Sequence, residues 1–125
     1  MIVLDASVII AHFASGDPFA PQALEIMDTE EELCLHPMTL AECLVGAERL
    51  GQATVMRERL GAIGIGIWHP DDDDPYRIAE LRAHTSLKLP DCCVISAAIA
   101  QTATLASFDE KLLLAAERLG VQTSH

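Results

Sequence analysis

Short apolar segments alternate along this chain with longer stretches of helical periodicity. The segments predicted as strands are Ile2–Leu4, Leu33–Leu35, residues 63–68 and Thr104–Ala106. Strands that recur between helices favour parallel pairing, because each helix returns the chain to the same end of the sheet. The pattern therefore predicts an α/β fold in which helices cover both faces of a short parallel sheet.

The remaining segments fit one domain over residues 1–125. No repeat, low-complexity stretch or flexible linker divides the chain, and its length is typical of one domain. Hydrophobic residues make up 50% of the chain but aromatic residues only 4%, so we expect an aliphatic core. Helices are predicted over residues 6–14, 21–28, 38–50, 52–60, 75–87, 91–101 and 109–119, and Val121 is predicted to begin an edge strand.

The chain is strongly acidic. It has 19 Asp and Glu residues against 8 Lys and Arg residues, a formal net charge of −11. Proteins that bind DNA or RNA mainly through the charge of its phosphates show a basic patch. The acidic composition therefore argues against a generic nucleic-acid binder. The acidic run at residues 71–74 is predicted to be a solvent-facing loop, with contact to a basic partner segment as the alternative.

The chain ends and the cysteines constrain the compartment. No apolar run approaches the roughly 20 residues that cross a bilayer, and the start lacks the basic segment of a secretory signal. Without a C-x-x-C pair, a zinc site is a poor interpretation. We therefore predict a cytoplasmic protein, no membrane association and four reduced, mostly buried cysteines: Cys34, Cys43, Cys92 and Cys93.

Four acidic residues occupy the positions where parallel sheets bind ligands, beyond the carboxyl ends of the strands. Asp5 follows the first strand and Asp109 the fourth, while Glu42 and Asp91 lie in the first turns of predicted helices. Each has a purely structural explanation, because acids favour helix N-termini. A helical wheel also turns Glu42 away from the apolar stripe of its own helix.

Two capping boxes support that structural explanation. Thr39 precedes Glu42 by three residues, and Ser107 precedes Glu110 by three, with Ser107 as the predicted N-cap. The structural explanation fits Asp5 and Asp91 less well. Both adjoin helices that are apolar on most sides, so their carboxylates are expected to be buried. Burial of an ionised carboxylate costs several kcal/mol unless it is paired or binds a metal.

Convergence of the four acids would raise the pKa of at least one of them through like-charge repulsion. A hard divalent cation with oxygen ligands, Mg²⁺ or Mn²⁺, relieves that repulsion. The usual chemistry of such a site is metal-assisted hydrolysis of a phosphoryl or phosphodiester group.

Four motifs in the same order along the chain resemble those of PIN-domain ribonucleases, in particular VapC-type toxins of bacterial toxin–antitoxin modules. They are IVLDASVI at residues 2–9, TLAE at 39–42, LPD at 89–91 with a downstream Ala-Ala pair, and TLASFD at 104–109. Each motif is weak alone, but the ordered set is fairly specific and spans nearly the whole chain.

The resemblance implies strand order 3-2-1-4-5 and Mg²⁺- or Mn²⁺-dependent endoribonuclease activity. It implies a homodimer and inhibition by a cognate VapB-like antitoxin whose C-terminal segment covers the site. It assigns metal binding and catalysis to Asp5, Glu42, Asp91 and Asp109, with support from the hydroxyls of Ser7 and Ser107. The chain departs from the family pattern in having Ser107 where Thr is more common and Lys111 where relatives sometimes carry an acid.

An RNA substrate would also need contacts to its phosphates and bases. The residues predicted for phosphates are Arg77, Arg82 and Lys88, with Arg57 or Arg59 in addition. The alternative is that these side chains are solvated helix faces. Trp68 and Phe108 could stack on a base, but core packing is the simpler interpretation.

Two other enzyme classes are poor interpretations, because the chain lacks residues that they need. A phosphoacceptor domain needs paired acids after the first strand and a lysine after the last one, and a haloacid-dehalogenase-type phosphatase needs an acid where Ser7 stands. The alternative outside enzymology is a non-catalytic acidic interaction domain with a PIN-like fold. Metal binding that depends on Asp91 distinguishes a catalytic site from this alternative.

Overall fold

The computed structural model describes residues 1–125. Strands and helices alternate as predicted, with two helices in each of three crossovers. The strands are β1 (Ile2–Leu4), β2 (Leu33–Leu35), β3 (Ile65–Ile67), β4 (Thr104–Ala106) and β5 (Thr123–Ser124). The helices are α1 (Ala6–Phe13), α2 (Ala20–Met27), α3 (Pro37–Arg49), α4 (Ala53–Ile63), α5 (Asp74–His84), α6 (Leu89–Gln101) and α7 (Glu110–Arg118).

The five strands form one parallel sheet in the order β3-β2-β1-β4-β5. This confirms the predicted α/β class and the order 3-2-1-4-5. Strand β1 lies between β2 and β4, with Leu4 opposite Ala106 at its carboxyl end. The strand order therefore reverses at β1, with β2 and β3 on one side of it and β4 and β5 on the other. Open parallel sheets form their binding crevice at such a reversal.

Helices cover both faces, and the strand residues alternate between two cores. Ile2 and Leu4 pack with α1 to α4, whereas Val3 packs on the opposite face with α5 to α7. Strands buried on both faces become continuous apolar runs, as the sequence of β1 shows. Both cores are aliphatic, and the four cysteines are free and buried as predicted.

Two helix starts differ from the capping boxes in the sequence. Helix α3 begins at Pro37, and the Nδ1 atom of His36 accepts a hydrogen bond from the backbone N–H of Met38. Helix α7 has Asp109 as its N-cap instead of Ser107, since the Asp109 carboxylate accepts the N–H groups of Lys111 and Leu112. The N-cap of α3 is therefore three residues before Thr39, and that of α7 is two residues after Ser107, because these side chains bind the free N–H groups.

Other boundaries also moved. Helix α4 continues to Ile63, where Gly64 ends it with a φ of 89°, so β3 is shorter than predicted. The last strand is Thr123–Ser124 instead of a strand from Val121. The acidic run is only partly a solvated loop, because Asp74 begins α5 and is buried. No helix is long and apolar enough to cross a membrane.

Candidate active site

Asp5 and Ser107 lie side by side at the carboxyl ends of the two central strands. The parallel pairing of β1 with β4 ends with a hydrogen bond of 2.9 Å from the Asp5 N–H to the carbonyl of Ala106. Asp5 and Ser107, the residues that follow β1 and β4, then turn into the crevice. Both side chains are buried, Asp5 with 7% of its surface exposed and Ser107 with none.

Two serine hydroxyls hold one oxygen of Asp5. Ser7 donates to Asp5 Oδ2 over 2.7 Å, and Ser107 donates to the same oxygen over 2.8 Å. Each hydroxyl in turn accepts a backbone N–H, that of Phe108 for Ser7 and that of Asp109 for Ser107. Because the carboxylate oxygen accepts both hydrogen bonds, the two hydroxyl protons point to Asp5.

The other oxygen of Asp5 is left free. Asp5 Oδ1 accepts no hydrogen bond within the protein, and the one buried side-chain polar atom without a partner is Thr39 Oγ1. Asp5 Oδ1 therefore keeps contact with solvent. A carboxylate fixed through one oxygen and open at the other is suited to a ligand outside the protein chain, such as a cation or a water molecule.

Glu42 and Asp91 approach Asp5 from helices α3 and α6. Desolvation, followed by the negative charges of Asp5 and Asp91, raises the pKa of the Glu42 carboxyl. Desolvation, followed by the charges of Asp5 and Asp109, raises the pKa of Asp91, against a smaller opposing effect of Lys111 and Lys88. These mutual effects place the four predicted acids in one electrostatic cluster.

Glu42 and Asp109 occupy the outer side of the cluster. Glu42 is exposed, as the helical wheel predicted, but its position near the start of α3 still brings it close to Asp5. Asp109 is also exposed, and its Oδ1 caps α7 through two backbone N–H groups. For Asp109 the capping role is therefore real and coexists with membership of the cluster.

The donor set suits a hard cation, although the structure shows no closed coordination shell. No three Asp, Glu, His or Cys side chains are arranged as metal ligands. The pKa values of Glu42 and Asp91 are nevertheless raised by neighbouring acids, and none of the four acids forms a salt bridge. Carboxylate oxygens of like charge around a solvent-facing crevice are the ligands that Mg²⁺ and Mn²⁺ select.

A second polar cluster lies near the acids, and no local sequence pattern indicates it. Asp74, with 4% of its surface exposed, accepts hydrogen bonds from His36 Nε2 (2.9 Å) and from Ser96 Oγ (2.5 Å). Arg77 Nε donates to Ser96, and the Arg77 guanidinium binds Asp71 through two nitrogens at 2.6 and 3.1 Å. This His36–Asp74 cluster joins the end of β2 to helices α5 and α6.

Arg77, one of the residues predicted to contact RNA phosphates, binds acidic side chains of its own chain. Its guanidinium lies between Asp71 and Asp74, and the hydrogen bonds that it donates to Asp71 raise the pKa of Arg77 and lower that of Asp71. Arg77 is thus committed to the protein itself. Arg82 and Lys88 remain exposed and form no salt bridge, so they stay candidates for phosphate contact.

The two aromatic candidates pack within the fold. Phe108 stacks on Phe19 with ring centroids 4.9 Å apart, and it contacts the core on the α1 to α4 face. Trp68 packs against the opposite core and lies 5.8 Å from the His36 ring. The packing interpretation accounts for both rings.

An apolar groove of about 310 Å³ leads away from Glu42 between α1, α3 and α4. Its walls are mainly aliphatic or small side chains, with Glu42 and Arg59 as the charged members. The buried Cys43 thiol in this groove has its pKa raised to about 12 by desolvation and by the nearby charges of Glu42 and Asp5. Arg59 is exposed and lines this groove, while the exposed Arg57 lines a separate pocket beside β3.

A family model for the PIN domain matches residues 2–118, so the chain belongs to the PIN-domain family. Its fold is similar to a toxin–antitoxin complex from Klebsiella pneumoniae, with 27% identity, 90% of each chain covered and a TM-score of 0.75. It is also similar to VapC20 of Mycobacterium tuberculosis, described as a sarcin–ricin loop cleaving toxin, with 15% identity, 92% and 95% coverage and a TM-score of 0.77.

A third similar structure is VapBC-1 from nontypeable Haemophilus influenzae, with 14% identity, 99% and 97% coverage and a TM-score of 0.75. A comparison with curated protein sequences found no match. The predicted resemblance to VapC-type PIN toxins is confirmed by the family match and by these structures.

Proposed function

We propose that residues 1–125 form one PIN-like ribonuclease domain that cleaves RNA phosphodiester bonds in a Mg²⁺- or Mn²⁺-dependent reaction. The observation that carries the proposal is the cluster of Asp5, Glu42, Asp91 and Asp109 at the carboxyl edge of the sheet, in which carboxylates act on one another and none forms a salt bridge. Membership of the PIN-domain family supports the same assignment.

The four acids would hold the divalent cation, and their roles follow from how each is fixed. Asp5 presents a free oxygen because Ser7 and Ser107 occupy the other one. Asp91 is partly buried at the start of α6 and adds a second oxygen donor opposite. When bound, the cation would lower the pKa of a bound water and offset charge on the phosphate oxygens.

Glu42 has a different environment and a different proposed task. Its carboxyl is exposed and its pKa is raised, so it can exchange a proton with a water molecule more readily than a fixed ligand can. We assign it to metal binding or to positioning the attacking water. Attack of water on phosphorus with departure of the 3′ oxygen leaves 5′-phosphate and 3′-hydroxyl ends.

We also propose that the chain is the toxin of a VapBC-like type II module and acts in the cytoplasm as a homodimer. The apolar groove beside Glu42 suits an antitoxin segment that carries apolar side chains and a basic one near the acids. The net charge of −11 favours a basic partner. The similar structures that contain an antitoxin support this part of the proposal.

The test is cleavage of end-labelled single-stranded RNA with Mg²⁺, with Mn²⁺ and with EDTA. Wild-type protein should cleave only with a divalent cation and leave 3′-hydroxyl ends. Asp5→Asn should abolish cleavage, because the amide keeps the shape of the side chain but lacks its charge. Glu110→Gln is the matched control, since Glu110 is an exposed acid next to Asp109 without a contact in the cluster.

The second candidate is a non-catalytic interaction domain that keeps the acids for structure. It is favoured by the absence of a ready-made coordination shell and by the real capping role of Asp109. In that case RNA would remain intact with every cation, while a basic antitoxin segment would still bind the groove. Equal cleavage by wild type and Asp5→Asn would contradict the proposed catalytic site.

A further inference from the structure

A cleft between helix α7 and the turn that joins α5 to α6 carries basic side chains but no acid. It measures about 400 Å³, and its polar walls come from His84, Thr85, Ser86, Lys111 and Arg118. The chain has 19 acids and only 8 Lys and Arg residues. The side chains of this cleft therefore carry a net positive charge, whereas the protein as a whole is strongly negative.

The basic side chains in the cleft are available. Lys111 and Arg118 are exposed, and neither forms a salt bridge. The Lys111 ammonium donates to the carbonyl of Ser86 at 3.3 Å, which fixes one wall of the cleft and leaves two of its N–H groups free. The hydroxyl of Thr85, by contrast, is used within the turn, where it donates to the carbonyl of Leu81.

The cleft opens beside the acid cluster. Lys111 lies two residues after Asp109 on α7, and its charge acts on Asp91. Arg118 lies seven residues further along the same helix, about 10 Å along the axis, so the two bases share one face. An RNA strand bound at the acid cluster would reach Arg118 within a few nucleotides.

The geometry points to a binding subsite for an RNA backbone phosphate in this cleft, held by Lys111 and Arg118 and flanked by His84. The inference rests on the proposed ribonuclease function and adds the direction in which the substrate leaves the acid cluster. Arginine and lysine side chains contact phosphates through charge-assisted hydrogen bonds. Two bases in a cleft without an acid would offer an RNA phosphate a local positive site on a protein of net charge −11.

The test measures binding without chemistry, by fluorescence anisotropy of a labelled single-stranded RNA in EDTA. Arg118→Glu should weaken binding about fivefold and make the salt dependence shallower by about 0.7 in log–log slope. Arg49→Glu is the matched control, because Arg49 is an exposed base in the last turn of α3, as Arg118 is in α7. It should leave RNA binding near that of the wild type.

The binding and competition results distinguish a phosphate subsite from bulk charge, from an acidic protein partner and from a free anion. An equal effect of the two charge reversals would mean that only bulk charge matters and would overturn the subsite, as would unmeasurable RNA binding by the wild type. Competition by a polyglutamate peptide as strong as by RNA would assign the cleft to an acidic protein instead. Competition by inorganic phosphate alone at equal strength would assign it to a free anion. Arg118-dependent binding without cleavage would retain the subsite and refute the ribonuclease.

Discussion

The hydroxyl of Ser107 joins two acids of the candidate site. It donates to Asp5 Oδ2 over 2.8 Å and accepts the backbone N–H of Asp109 over 2.9 Å. These atoms come from residues 102 positions apart in the chain, brought together by the pairing of β1 with β4. The orientation of Asp5 therefore depends on the register of the central strands, which links the chemistry of the site to the fold.

We predict that Ser107→Ala disturbs Asp5 more than it disturbs the fold. The change removes one of two donors to a buried carboxylate and should cost about 2 kcal/mol in the free energy of unfolding. It should also weaken Mn²⁺ binding, measured by calorimetry, because Asp5 gains freedom. Ser107→Thr keeps the hydroxyl and should restore binding; equal Mn²⁺ affinity in Ser107→Ala would contradict the orienting role.

We predict that Asp91→Asn raises the melting temperature of the protein in EDTA. Desolvation and the charges of Asp5 and Asp109 raise the pKa of Asp91, so its ionised form is disfavoured by folding. The stability of the metal-free protein should therefore fall as pH rises through the raised pKa, and removal of this charge should reduce that fall. The measurement is thermal unfolding of both proteins at several pH values.

The matched control for that experiment is Asp72→Asn, which removes an exposed acid from the same chain. It should leave the melting temperature nearly unchanged, because surface substitutions of this kind are usually within about 0.5 kcal/mol. A lower melting temperature of Asp91→Asn in EDTA would show that Asp91 stabilises the fold, as the structural explanation of the acids requires.

We predict that Asp74→Ala is strongly destabilising although Asp74 lies in a run of four acids. The substitution leaves His36 and Ser96 without their buried acceptor and takes one anion from beside Arg77. Loss of one partner in a buried polar pair costs about 3 kcal/mol. Urea unfolding measures this cost; a change equal to that of Asp72→Ala would mean that the His36–Asp74 cluster is not a stabilising unit.

We predict that the four cysteines react slowly with iodoacetamide at neutral pH. Burial raises the pKa of every thiol, to about 12 for Cys43 and about 11 for Cys93, where Asp74 and other nearby charges add to the effect. The reactive thiolate is therefore scarce in the folded protein. Mass spectrometry should show rapid labelling only in denaturant, and rapid labelling of native protein would contradict the buried assignment.

The sheet and its acidic edge could be predicted because both depend on local patterns. Short apolar segments mark β1, β2 and β4, and parallel pairing places the residues that follow these strands on one edge, as for Asp5 and Ser107. Strand order came only from the family resemblance, since no local pattern fixes which strands are neighbours. The wheel for Glu42 predicted its exposure but not its closeness to Asp5, because that distance depends on how α3 packs.

The His36–Asp74 cluster could not be predicted, for a physical reason. Asp74 looks like the last member of a solvated acidic run, and its partners His36 and Ser96 lie 38 and 22 residues away. Nothing near Asp74 in sequence shows that these side chains meet. The engagement of Arg77 was unpredictable for the same reason, since its guanidinium is held by Ser96 and Asp71 of this cluster.

The central claim is that the four acids form one divalent-cation site. The most direct test is Mn²⁺ binding followed by electron paramagnetic resonance, with wild type, Asp5→Asn, Asp91→Asn and the control Glu110→Gln. We expect bound Mn²⁺ in the wild type and in the control, and its loss in both cluster variants. Unchanged Mn²⁺ affinity in Asp5→Asn and Asp91→Asn would contradict the account.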